Sequence, residues 1–149
     1  MSKISRNKFA GKIFVGLTVI ILAIAAAVSA FINGQTKACK KYFSAMASGD
    51  LTVLSKAMEN TEGYGTKDAF SQTRKAYFRS LPQFAELSDT DIVSANVKVK
   101  NHIMLENPDL WKCTAEVDYY SNGSSISETN IVSLYYKGGK WFISDVSIE

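Results

Sequence analysis

The chain has 149 residues, with 17 Lys and Arg against 14 Asp and Glu and a formal net charge of +3. That length allows one compact domain, and the modest charge excludes the clustered basic face of a nucleic-acid binder. One histidine and two cysteines, none at zinc-ligand spacing, exclude a zinc site of the usual ligand count.

The charge is unevenly placed. Lys3, Arg6, Lys8 and Lys12 form a basic tail without an acid, which leaves 13 Lys and Arg against 14 Asp and Glu in the rest of the chain, a balance near −1. Between tail and remainder runs IFVGLTVIILAIAAAVSAFI, residues 13–32, uncharged as far as Thr36. Twenty residues at a helical rise of about 1.5 Å span roughly 30 Å, the thickness of a bilayer's hydrocarbon core. The basic flank places the tail in the cytoplasm, where it meets anionic headgroups, and the remainder on the far side of the membrane. The alternative is a cleaved secretory signal, for which Val28-Ser29-Ala30 has the small residues a signal peptidase reads. The apolar run is long for that and continues through Phe31 and Ile32. A lipoprotein is excluded by Thr36-Lys37-Ala38 before Cys39, which lacks the aliphatic residue of a lipobox. The expected division is a basic tail over 1–12, an anchor over 13–33 and an extracytoplasmic domain over 36–149, joined by Asn33-Gly34-Gln35.

In the domain, Cys39, Tyr42, Phe43 and Met46 recur at helical spacing, with Lys37, Lys40, Lys41, Ser44 and Ser48 on the wet face. Gly49 ends that helix, and Asp50 caps a second one through Met58, with Leu51, Leu54, Ala57 and Met58 buried. A polar surface loop from Glu59 to Lys67 carries Gly63 and Gly65 and matches no phosphate-binding pattern. Asp68 caps a third helix with the stripe Ala69, Phe70, Thr73, Ala76, Tyr77 and Leu81, ended by Pro82. From Asp91 the period is two. Val93, Ala95, Val97, Val99, Asn101, Ile103 and Leu105 point inward on one strand, and Trp111, Cys113, Ala115, Val117 and Tyr119 on the next. Asn107-Pro108-Asp109 is a turn, and Asn122-Gly123 and Gly138-Gly139 are hairpin turns. A third strand buries Ile126, Val132, Leu134 and Tyr136, and a fourth spans Lys140 to Ile148. Three helices followed by a four-stranded antiparallel meander make an α+β domain.

The segments YFSAMASGDLTVLSKAM and YYKGGKWFISDVSIE give this layout a resemblance to the nuclear transport factor 2-like superfamily over residues 36–149. It is similar to the small, membrane-anchored bacterial members of uncharacterised function. The resemblance implies helices packed across a curved sheet to form a cone, and dimerisation through the sheet. Enzymes of the superfamily place an Asp or an Asp–His pair inside the cone as general base. Here the inward positions of the first two strands hold no carboxylate or histidine. His102 falls on the outer, solvated face, and Asp145 is a candidate acid only if it faces inward with Trp141. In the implied fold the first helix lies over the sheet, so Cys39 and Cys113 could meet. Either they bond, closing a loop of about 75 residues worth about 4 kcal/mol in the chain-entropy model, or they stay separate as small hydrophobes. The aromatics Tyr42, Phe43, Tyr77, Trp111, Tyr119, Tyr135, Tyr136, Trp141 and Phe142 fill a core rather than line a ligand cavity. Tyr120 and Tyr135 point outward and offer a protein-interaction patch.

The expected protein is a single-pass, non-enzymatic binding or scaffolding domain at the outer face of a bacterial cytoplasmic membrane, without a cofactor. It would contact the membrane through 13–33 and a protein partner or a second copy of itself. The alternatives are an extracytoplasmic small-molecule-binding or isomerase-like cone, and a subunit of a conjugation or secretion apparatus.

Overall fold

The computed structural model describes residues 3–88 and 91–149, with side chains from residue 14 onward, so the side chains of the basic tail lie outside the described residues. The order of elements is α1 (Lys3–Ser48), α2 (Leu51–Leu54), α3 (Lys67–Ser80), β1 (Ser94–Met104), β2 (Leu110–Ser121), β3 (Ser124–Lys137) and β4 (Lys140–Ile148). Single 3-10 turns at Glu62–Tyr64 and Pro82–Phe84 flank α3. The architecture is α+β, a long apolar helix followed by an open antiparallel sheet in the order β1-β2-β3-β4. The chain divides into two compact units, one ending at Asn33 and the other spanning Gly34–Glu149.

In the first unit α1 is long and apolar enough, from Phe14 on, to cross a membrane. Phe14, Ile20, Leu22, Ile24 and Val28 are each more than half exposed, so these side chains are not a core stripe. Thr18 donates to the Phe14 carbonyl at 2.9 Å, which satisfies its hydroxyl within the helix.

The second unit has one core, made by the buried face of α1 beyond Gln35, α2, α3 and the inner face of the sheet. Asn33-Gly34-Gln35 is helical and not a link. The reason is tertiary: Gln35 is fully buried, and a Cβ on Gly34 would stand 2.6 Å from Trp141 Cδ1, so packing outweighs glycine's poor helix propensity. Cys39, Tyr42 and Phe43 are buried as the spacing requires, joined by Ala38, Ala45 and Ala47. Gly49, at φ +73°, turns the chain out of α1, and its N–H donates to the Ala45 carbonyl at 2.8 Å. Asp50 caps α2 by accepting from Thr52 N and Val53 N at 2.9 and 3.2 Å, which holds its carboxyl below the usual range. α2 is shorter than expected, because Lys56 N and Ala57 N turn back to Val53 and Leu54 at three-residue spacing.

α3 differs in cap and in phase. Thr66 caps it, accepting from Ala69 N at 3.2 Å, and Asp68 sits in its first turn. Its buried residues are Phe70, Arg74 and Phe78, while Tyr77 is exposed. The stripe rotates because Arg74 reaches back to donate to the Ala47 carbonyl at the end of α1 and covers the Phe78 ring, 5.5 Å away. An arginine reads as solvated in sequence, yet here it supplies the donor that the last turn of α1 lacks.

All four strands form where the alternation places them. Asn122 and Gly123 have φ of 49° and 80°, and Gly138 and Gly139 have 56° and 80°, the paired positive angles of type I′ hairpins. Two bulges change what the strands present. Between Lys100 and Ile103 of β1 the register slips by one, with Asn101 at φ 53°, so His102 turns inward and Ile103 is 58% exposed. Between Ser133 and Leu134 of β3, Ser144 of β4 is the extra residue. Trp141 and Ile143 are therefore buried while Asp145, paired with Ser133, is exposed.

Candidate functional site

The first cluster lies where α1 leaves Asn33. Gly34 receives the edge of Trp141, and Ile143 N donates to the Ala57 carbonyl at 2.8 Å along the free edge of β4. These two contacts draw α1, the turn after α2 and the β3–β4 hairpin together. Lys37 and Lys41, one helical turn apart, then share a cavity of about 180 Å³ with Lys56 and Lys140, floored by Gly34, Ala38, Gly139 and Trp141. No carboxylate lines it, and none of the four lysines has an ion pair among the described residues. Two lysines elsewhere have carboxylate partners, Lys100 with Glu116 and Lys137 with Glu59, whose carboxyl those hydrogen bonds from Lys137 and Tyr135 hold below its usual range. Four like charges around one concavity repel each other, and an entering anion would relieve that repulsion.

The second cluster lies inside the domain. Cys39 of α1 and Cys113 of β2 are both buried, with their sulfurs 3.8 Å apart. The hydrogen bond to Cys113, reinforced by burial, pushes the Cys39 thiol well up. His102 Nδ1 and Gln35 Oε1 share a hydrogen bond between the β1 bulge and α1. Burial lowers the pKa of His102, in place of the solvated histidine that alternation predicted. The correction follows from the bulge, because one extra residue exchanges the faces of everything after it. Among the described residues no three His, Cys, Asp or Glu side chains converge as a metal site.

Two further concavities lie on the domain. One, of about 330 Å³, lies between the segment Pro82 to Leu87 and Ser121, Asn122 and Ser124 of the β2–β3 hairpin. The other, of about 350 Å³, is the groove opened by the bulge, lined by Asn101, His102, Ile103, Lys112, Cys113, Thr114 and Ile131.

Of the other expected site residues, Tyr120 is 44% exposed and pairs with Ser125, whereas Tyr135 pairs with Leu110. Ten residues of strand separate them, about 33 Å, so they do not form one patch. Tyr135 instead stacks on Phe142 at 5.7 Å and donates to Glu59 at 2.8 Å, and burial with that carboxylate pushes it up to about 12. Phe78 meets Tyr119 at 5.0 Å and Trp111 meets Trp141 at 6.1 Å, edge to face within the core. Asp145 lies on the outer face, which removes it as an inward acid. The lysine cavity had only half a signal in sequence, the four-residue spacing of Lys37 and Lys41, since Lys56 and Lys140 arrive through tertiary contacts. No protein-family model matches the chain, and no curated protein matches it.

Proposed function

We propose that this protein is a membrane-tethered, non-enzymatic binding module on the outer face of a bacterial cytoplasmic membrane, and that its lysine cavity takes an anionic group of a cell-envelope component. The cavity carries the reading: among the described residues it is lined by four exposed lysines without an ion pair and by no acid, with glycine and tryptophan beside them. The apolar length of α1 supports the tether, and its basic N-terminal flank supports the orientation. Tethering raises the local concentration of envelope groups, so weak contacts suffice. The resemblance to the nuclear transport factor 2-like superfamily belongs to the same reading: the sheet curves beneath the helices as a cone, and the module meets a protein partner or a second copy. The exposed position of Asp145 favours binding over isomerase-like catalysis.

Two measurements test this. The full chain should stay in the membrane pellet after alkaline carbonate washing, with a C-terminal reporter active only outside the cytoplasm. Release by the wash, or a reporter active inside, overturns the tether. For the cavity, native mass spectrometry of the full chain in neutral detergent should retain phosphatidylglycerol in preference to phosphatidylcholine. The quadruple variant Lys37→Gln, Lys41→Gln, Lys56→Gln, Lys140→Gln should lose that preference about tenfold or more. Equal retention by the native chain and the variant overturns the cavity as the site, and retention of inorganic phosphate alone assigns it to a free anion.

A further inference from the structure

Cys39 and Cys113 are the only cysteines in the chain, so each is the other's one intramolecular partner. They lie 74 positions apart in sequence, yet the fold brings their sulfurs to 3.8 Å. One sits on the buried face of α1 and the other on β2, an interior strand paired on both sides. Both are almost wholly inaccessible, at 0% and 2%, so neither can bond to another molecule once the domain has folded. A disulfide needs the sulfurs to close to about 2.05 Å, a movement that side-chain rotation and a small shift of the helix can supply. Nothing else links the two elements covalently, and the neighbouring tie, Gln35 to His102, is one hydrogen bond from α1 to β1, the strand beside β2.

We propose that Cys39 and Cys113 form an intramolecular disulfide that latches α1 to the centre of the sheet, closed during folding by a disulfide-bearing thiol oxidant of the extracytoplasmic space. This rests on the outward placement of the domain proposed above, because cytoplasmic thiol pools would keep the pair reduced. Before burial, one cysteine loses its proton and its thiolate attacks the oxidant's disulfide. A mixed disulfide forms and the first oxidant thiolate leaves. The second cysteine, deprotonated in turn, attacks the mixed disulfide at the first cysteine's sulfur. The Cys39–Cys113 bond forms and the second oxidant thiolate leaves. The two cysteine protons end on the two oxidant thiols, and the pair has given up two electrons. Burial then shields the bond from reductant, so it is a structural latch and not a catalytic dithiol.

The test uses the full chain purified from membranes, trapped with N-ethylmaleimide under denaturing, non-reducing conditions and weighed intact. The latch predicts no maleimide adduct, a mass about 2 Da below the dithiol form, and two adducts only after reduction. The Cys113→Ser variant should take one adduct without reduction. The thermal unfolding temperature of the native chain should fall on the order of 10 °C once it has been reduced in denaturant and refolded under reductant, a shift absent from the Cys39→Ala, Cys113→Ala double variant. Two adducts on the unreduced native chain overturn the latch, as does a disulfide-linked dimer. The C-terminal reporter separates the two failures: free thiols with the reporter outside overturn the latch alone, and a reporter inside overturns the tether and the latch together.

Discussion

Gly34 and His102 show how much single positions settle. Gly34 carries ordinary helical backbone, so its constraint is steric, from the Trp141 ring that already packs on Tyr136 at 5.1 Å and Trp111. Gly34→Ala gains helix propensity and still should destabilise the domain by about 1–3 kcal/mol, because the overpacked ring must move. Urea unfolding of the full chain in detergent would read the loss, and a shift in tryptophan emission would place it at the Trp111–Trp141 pair. Unchanged stability would mean that the ring moves freely. For His102, burial lowers the folded pKa below the unfolded value near 6.5, so the unfolded chain binds the extra proton first. The stability held by neutral His102 is complete above about pH 6.5 and is lost as pH falls towards the folded pKa. Thermal unfolding temperature should therefore drop between pH 7 and pH 5.5, above the range where Glu59 and Asp50 titrate, and His102→Asn should flatten that interval. A native profile flat over the same interval would contradict a buried neutral imidazole.

The elements divide by how local their causes are. The hairpins are local: Asn122-Gly123 and Gly138-Gly139 adopt positive φ with no neighbour forcing them, and a Cβ at Gly123 would meet nothing within 4 Å. Gly123→Ala should therefore cost only its left-handed backbone, about 1–2 kcal/mol, leaving tryptophan emission unchanged. Equilibrium unfolding would show this, and a loss as large as that of Gly34→Ala with altered emission would contradict it. Strand spans were legible from period two for the same reason, since alternation needs only one buried face. The bulges were not legible, because an extra residue leaves the composition unaltered and reverses the faces beyond it, at His102 in β1 and Asp145 in β4. The phase of α3 was hidden by Arg74, whose polar head is used by the last turn of α1.

For the whole molecule, a tether and an anion-binding module have separable signatures. The apolar side chains of α1 from Phe14 to Val28 are exposed, a surface that lipid would cover in the proposed tether. The lysine cavity, by contrast, exists only when three chain segments have docked, so unfolding the domain should abolish headgroup selectivity while leaving the chain in the membrane. Gly34→Ala bears on this scale as well: moving Trp141 opens the cavity floor, and the variant should lose preference for phosphatidylglycerol with all four lysines present. If it binds as the native chain does, the cavity's shape is unimportant and charge alone suffices.

The sequence by itself determined the membrane-length helix, the α+β order, the four strands and their turns, and the caps at Gly49 and Asp50. Each follows from local composition or periodicity, which act over one helix turn or one hairpin. Only the tertiary structure decided that α1 runs unbroken through Gly34, that His102 faces in and Asp145 out, that Tyr120 and Tyr135 stand apart, and that four lysines converge. It also set Cys39 beside Cys113, across 74 positions. The physical reason is common to all of these: each depends on register or docking between segments distant in sequence, and neither pattern nor propensity carries that distance.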